Sequence, residues 1–356
     1  MTKYLELYER LRQDIIDRIY VPGDKLPSKR VMAADSGYSV ITVEHAYELL
    51  AQEGYILPME KSGYFVSFNE DNTFASARTV TRRYDKSERS VMGREVTSQD
   101  TDEEAFSFNI YAKTVRRVLS EYSEELMIKA PAAGSLKLRE AIADYLVGNR
   151  RIRVTPEQIY IGAGAEYLYG LIVQALGREY IYGVESPSYN KISLVYEAEG
   201  VKLDMLPLTD DGIESKALWK SKATVLHITP YRSFPSGVTA TAAKKREYVR
   251  WALDREGYII EDDFESEFTP SRKPEETIFS LDTDDRVIYV NTFTRTIGPS
   301  VRIAYMVIPE GLMKCFEEKI GFYSCPVPVL EQYTVASLIE NGDFVRHINR
   351  VRRHRR

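Results

Sequence analysis

The sequence predicts an α/β protein in two parts: a small helical module ending in a hairpin, then a large layered α/β/α domain. Three observations carry this. From residue 105 onward, short apolar runs alternate with stretches of helical period, the pattern of helices packed on a largely parallel sheet. Before residue 70, three helical stretches lead into two short strand-like runs. Between them, residues 70 to 104 are polar and aperiodic and hold too few apolar side chains to fold alone, so a flexible linker is expected there.

In the first module, residues 1–69, Tyr4, Tyr8, Leu11, Ile15 and Ile19 recur at helical spacing, predicting one helix that runs to the Pro22-Gly23 stop. Ser28 can cap a second helix carrying Val31 and Met32. Ser39 can cap a third, with Val43, Ala46, Tyr47 and Leu50 on one face and Gly54 as its stop. Tyr55 to Leu57 and Gly63 to Val66 then read as a hairpin. Helix, helix-turn-helix and hairpin, in that order, make a winged helix.

In the large domain, residues 105–356, the strand candidates are Gln158–Ile161, Tyr180–Val184, Lys202–Leu206, Ala223–Ile228, Tyr258–Ile260, Val287–Val290 and Ile303–Ile308. Gly134-Ser135 opens a helix with Leu138, Ala141, Ile142 and Tyr145 on one face, and a second, apolar helix covers Glu166 to Leu176. A strand followed by Gly162-Ala163-Gly164-Ala165 and a helix is either a tight turn or an anion cradle of backbone N–H groups.

Composition narrows the function. The chain has 356 residues and a net charge of −5. It has no general attraction for nucleic acid, so any DNA contact must come from a local surface. Cys315 and Cys325 form no metal or redox spacing, and no metal-ligating set is expected. With no long apolar run and no leader-like N-terminus, no membrane partner is expected and the location is read as cytoplasmic.

The string Pro22-Gly23-Asp24-Lys25-Leu26-Pro27-Ser28-Lys29-Arg30, with Ser39 to Thr42, Gly54-Tyr55 and Ser62-Gly63, resembles the GntR-type winged helix of bacterial regulators. The resemblance implies double-stranded DNA as partner. Arg30 would contact the backbone, Ser39, Val40, Ile41 and Thr42 would enter the major groove, and Lys61, Ser62 and Gly63 would form the wing tip. Three positions depart from the family, and Lys61 is one, standing where the wing glycine is usual. Val40 and Glu44 stand where arginines are common, and residues 1 to 66 hold eight lysines and arginines against ten acids. Lys29 and Lys61 read as DNA contacts or as plain solvated surface.

The stretch Tyr289 to Ile303 resembles the cofactor-lysine turn of fold-type-I pyridoxal-phosphate enzymes, aminotransferases above all. The likeness implies a cofactor site. Ala163, Gly164, Ala165 and Arg302 would hold the phosphate, with Thr292, Thr294 and Arg295 among the cofactor-binding residues. Tyr189 would stack on the ring, Asp262 would pair with its nitrogen, and Phe264 would stand where a tyrosine usually meets the phenolic oxygen. Asp262 also reads as an Asp-Asp cap at a strand end. Arg295 occupies the place of the lysine that forms an imine with the cofactor, and Arg232-Ser233 replaces a His-Gln pair. A guanidinium keeps its proton and is a poor nucleophile. Pyridoxal phosphate is therefore expected either absent or bound without an imine. Two fates are open for Arg295: a pair with Asp262 that fills the ring site, or a shared anion with Arg302.

A GntR-type winged helix joined to an aminotransferase-like domain resembles the MocR subfamily of bacterial regulators. That implies a homodimeric transcriptional regulator tuned by a small-molecule effector, with a pseudoenzyme domain and no catalytic residue. The competing readings are a pyridoxal-phosphate-dependent aminotransferase and a pseudoenzyme scaffold that no longer binds DNA. Family members continue past the basic stretch His347 to Arg356 into a C-terminal subdomain, so the large domain is expected to lack that part. The stretch itself reads as the start of a helix or as a weak phosphate-binding patch.

Overall fold

The structure is a computed structural model that describes residues 3–59, 62–68, 104–270 and 275–355. The chain divides into two compact units, Met1–Glu95 and Val96–Arg356. The stretch expected to be a linker lies outside the described residues up to 103.

The first unit consists of α1 (Lys3–Ile16), α2 (Lys29–Ser36), α3 (Val40–Gln52), β1 (Ile56–Met59) and β2 (Gly63–Val66). Its core gathers Leu7, Leu11 and Ile15 from α1, Val43, Ala46, Tyr47 and Leu50 from α3, and Ile56 and Val66 from the hairpin. Ser28 and Ser39 cap α2 and α3, accepting from the amides of Val31 and Thr42. Tyr47, wholly buried, donates its hydroxyl to the carbonyl of Pro27 (2.8 Å), which anchors the turn before α2 to α3. The hairpin pairs antiparallel, with Ile56 opposite Val66 and Met59 opposite Gly63. The first helix is shorter than its apolar period suggests. Arg18 adopts φ of 60°, which breaks the helix, and Ile19 is exposed instead of joining the core.

The second unit is built on an eight-stranded sheet. Its strands are β3 (Ile159–Gly162), β4 (Ile181–Ser186), β5 (Lys202–Thr209), β6 (Gly212–Ile213), β7 (Val225–Ile228), β8 (Tyr258–Asp262), β9 (Val287–Thr292) and β10 (Ala304–Val307). Their order is β3-β10-β9-β8-β7-β4-β5-β6. Strands β9, β8, β7, β4 and β5 are parallel neighbours; β10 runs antiparallel between β9 and β3, and the short β6 is antiparallel to β5. The seven expected strands are present. The reversed direction of β10 and the existence of β6 were not foreseen.

Helices cover both faces. Along β9, Ile288 and Val290 pack with Leu168, Ile172 and Phe316, from α6 (Ala165–Leu176) and α10 (Glu310–Ile320). Tyr289, between them, turns to the other face, towards α5 (Leu136–Tyr145), α11 (Val329–Glu340) and α12 (Asp343–His354). This is the alternation a pleated strand imposes. The remaining helices are α4 (Phe108–Tyr122), α7 (Asn190–Ala198), α8 (Ser215–Lys220) and α9 (Ala242–Asp254), and the wholly buried Trp251 of α9 fills a third cluster with Leu226 and Ile259. The basic stretch at the end is indeed helical. Phe344, His347, Ile348 and Val351 form the buried stripe of α12, each aliphatic or aromatic side chain contributing about 1.5–3 kcal/mol on burial.

Candidate functional site

The carboxyl ends of the parallel strands, where open α/β sheets bind ligands, bring the expected cofactor residues to one edge. Gly162 of β3 and Thr292 of β9 both stand opposite Ala304 of β10. Arg302, two residues before Ala304, therefore arrives beside the loop that follows β3. Its guanidinium lies directly over Gly164, where an added Cβ would sit 2.8 Å from one of its nitrogens. Gly164 has φ of 98°, so both the backbone and the close approach require glycine. Gly164 starts α6 without a side-chain cap, which leaves the first-turn amides open to an anion. A carboxylate of the chain stands there: Glu166 accepts from Arg302 at 2.6 Å and lies 3.6 Å from the ammonium of Lys191.

The hydroxyls of Thr292 and Thr294 donate to the carbonyls of Ile303 and Val301 (3.2 Å each), and so close the turn between β9 and β10. The exposed ring of Tyr189 meets Phe234 edge-on at 6.3 Å, and the Lys191 ammonium sits 5.8 Å from its centre. Phe264 is partly buried at the end of β8.

Asp262 is 6% exposed. Its Oδ2 accepts from Tyr169 (2.6 Å) and lies 3.7 Å from Nε2 of His227. Its Oδ1 is buried with no partner, and so is the Nε2 of His227. Buried polar atoms in folded proteins are rarely left so, and an Oδ1 of this kind suits a ligand N–H. The next carboxylate, Asp263, points to the opposite face of the sheet. There it takes a buried ion pair from Arg150 and a hydrogen bond from Tyr289 (2.8 Å). The Asp263 charge raises the Arg150 guanidinium well above its usual range, against the opposing effect of burial. Nearby, burial pushes the Glu185 carboxyl up to about 8, although Ser233 donates to it at 2.6 Å.

Arg295 does not meet Asp262. It turns to Glu265 (3.5 Å) and Glu104 (4.0 Å). The same two carboxylates hold Arg355, which forks onto both oxygens of Glu104 (2.9 and 2.8 Å) and reaches Glu265 at 3.0 Å. Arg232 adds a third guanidinium, 3.5 Å from Glu265. Phe268 lies beneath, its ring centre 6.0 Å from Arg295 and 5.1 Å from Arg355. The hydrogen bonds from Arg355 hold the Glu104 carboxyl below its usual range. Of the two fates left open for Arg295, the pair with Asp262 is replaced by a pair with Glu265 and Glu104, and Arg302 is engaged separately with Glu166. Sequence reasoning missed this cluster because Glu104 and Arg355 are 251 positions apart.

In the first unit, Arg30 is exposed on α2. Ser39, Val40 and Ile41 are exposed at the start of α3, Ser62 is exposed in the turn before β2 and Gly63 opens that strand; Lys61 lies outside the described residues. Lys29 is not plain solvated surface. It pairs with Glu44 and stands 5.7 Å from the ring centre of Tyr64. The hydrogen bond between them raises the Lys29 ammonium and lowers the Glu44 carboxyl.

A winged helix-turn-helix followed by a fold-type-I aminotransferase architecture defines a class of two-part regulators, and known proteins place the chain in it. Residues 3–66 match the bacterial regulatory proteins of the gntR family, and residues 107–356 match aminotransferase class I and II. The chain belongs to the MocR-type branch of the GntR family of transcriptional regulators. It is 32% identical to the uncharacterised HTH-type transcriptional regulator YdeL of Bacillus subtilis, over 98% of this chain and 76% of that protein. It is 30% identical to the HTH-type pyridoxine biosynthesis transcriptional regulator PdxR of Corynebacterium glutamicum, over 99% and 76%. It is 28% identical to the probable rhizopine catabolism regulatory protein MocR of Rhizobium meliloti, over 98% and 74%. Among solved structures, the kynurenine aminotransferase of Pyrococcus horikoshii superposes with a TM-score of 0.63 at 24% identity, covering 70% of this chain and 64% of that one. The multiple substrate aminotransferase of Thermococcus profundus gives 0.64 at 22%, covering 80% and 73%. These two likenesses show the fold.

Proposed function

We propose that this protein is a DNA-binding transcriptional regulator whose large unit is a sensor without catalysis, holding pyridoxal phosphate or another small anion reversibly. The observation that carries the reading is the fate of Arg295. The residue in the lysine position is drawn to Glu265 and Glu104, so the carboxylate that would meet the cofactor ring keeps an open oxygen. Arg302, Gly164 and the amides of residues 163 to 165 would hold a phosphate in the place now taken by Glu166. Asp262 would accept the ring N–H, Tyr189 would cover the ring, and Thr292 and Thr294 would shape the turn beside it. When bound, the cofactor supplies an electron-accepting ring and an aldehyde. The chain adds no amine at position 295, so binding rests on charge-assisted hydrogen bonds.

The aminotransferase reading fails on the same residue, because a guanidinium neither attacks an aldehyde nor shuttles a proton at neutral pH. The scaffold reading drew on Val40 and Glu44, yet Glu44 is neutralised locally by Lys29 and Arg30 remains free to meet a phosphate backbone. Exposed Phe108, Met127 and Ile128 around α4 support a homodimer, and no described helix is long and apolar enough to cross a membrane, in keeping with a cytoplasmic regulator.

Equilibrium dialysis with pyridoxal phosphate tests the site. Wild type and Arg295→Ala are expected to bind it reversibly, and Arg302→Ala and Asp262→Ala to bind it at least tenfold more weakly. Cofactor that stays fixed to the chain after borohydride reduction and denaturation, or binding abolished by Arg295→Ala, would refute the reading.

A further inference from the structure

The first turns of α3 carry an unusual surface for a helix meant to read DNA. Its buried face is Val43, Ala46, Tyr47 and Leu50, so its outer face at the same end is Val40, Ile41, Glu44 and His45. Several polar groups on or beside that face already have partners. Ser39 Oγ accepts from the Thr42 amide at 3.2 Å, and the two hydroxyls lie 2.9 Å apart. Glu44 is tied to Lys29, and the His45 ring packs edge-on against Tyr4 at 5.9 Å. The side chains that lead the helix are aliphatic: Val40 is 44% and Ile41 66% exposed, with Val31 of α2 50% exposed. Both leading side chains of α3 are β-branched and stiff, so they present fixed methyl groups rather than adaptable donors.

In the major groove each base pair offers hydrogen-bonding edges, and one apolar group is available: the C5-methyl of thymine. We propose that Val40 and Ile41 determine the operator by apolar contact with thymine methyls, so each half-site centres on A·T pairs whose thymines face α3. Arg30 supplies the backbone contact and carries no sequence information. The Lys29–Glu44 pair keeps the acid from repelling phosphate and from accepting a cytosine amino group. The proposal rests on the DNA-binding reading above and adds the chemistry that the helix recognises.

The probe is a duplex enriched by the whole chain from a random-sequence pool, then resynthesised with deoxyuridine for thymidine at single half-site positions. That exchange deletes the methyl and keeps every hydrogen-bonding edge. The expected result is a loss of about fourfold in affinity for each methyl contacted, the equivalent of one buried methyl-sized group. The double variant Val40→Ala, Ile41→Ala changes exposed residues only. It should bind the thymidine and deoxyuridine duplexes alike while keeping the wild-type salt slope. If an enriched site binds equally well in both forms to the wild-type chain, or if the alanine variant keeps the full deoxyuridine penalty, the apolar readout is wrong. If the chain enriches no sequence and holds no duplex at low salt, the DNA-binding reading falls, and this one with it.

Discussion

Glu185 sits at the end of β4, buried, with Ser233 donating to it and the Asp262 charge nearby. Its carboxyl rises from 4.5 to about 8, first because burial disfavours the ion. The folded state therefore keeps a proton that the unfolded chain releases. The stability tied to that proton is fully present below about pH 4.5 and is lost as pH rises towards 8. Glu185→Gln removes this dependence. Relative to wild type, the variant is expected to gain on the order of a few kcal/mol at pH 8 and nothing at pH 4.5. Urea midpoints for the large unit at the two pH values check it, and equal midpoint differences at both would contradict it. Glu261 and Glu267, each raised to about 7 by burial, titrate in the same direction, so the variant flattens the profile only in part. None of this was legible in the sequence. The residue types at 185, 261 and 267 are ordinary, and only the folded unit buries them. Arg295 was legible as a departure, because its position in the turn is fixed by neighbours along the chain. Its partners were not, because Glu265 comes from the next strand end and Glu104 from the start of the unit.

At the scale of elements, caps and periods were read well. Ser28, Ser39 and Ser135 each accept from an amide three residues on, a relation contained in a few consecutive residues. Strand direction was not, since hydropathy is the same read either way, and the antiparallel run of β10 left no mark in its sequence. The end of α1 failed for a related reason: Ile19 continues the apolar period, while the break is a backbone event at Arg18. The α2–α3 pair also carries a prediction. Arg30 is exposed on the first turn of α2, placed for a phosphate and not for a base. Arg30→Ala is expected to weaken all duplexes alike and to lower the salt slope of binding by about one unit. Affinities across a salt series, on an enriched duplex and an unrelated one, measure this. An unchanged slope would remove Arg30 from the interface.

The whole molecule joins two folds, and the sensor reading proposed for the large unit carries a prediction of its own. Steady conversion of amine to keto acid is not expected from the chain with added pyridoxal phosphate. Arg295→Lys alone is expected to restore little, because Phe264 still offers no phenol and Glu104, Glu265 and Arg355 still crowd the position. Keto-acid formation followed by a coupled assay decides this, and sustained turnover by either protein would refute it. The fold class and the two-part layout were legible because each half repeats local patterns many times. The grip between distant residues was not.

That grip has a topological meaning. Glu104 and Arg355, 251 positions apart, touch through a forked ion pair. It works as a clasp: the carboxylate at one limit of that span and the guanidinium at the other hold the intervening sheet and helices shut, so loosening either limit loosens the other.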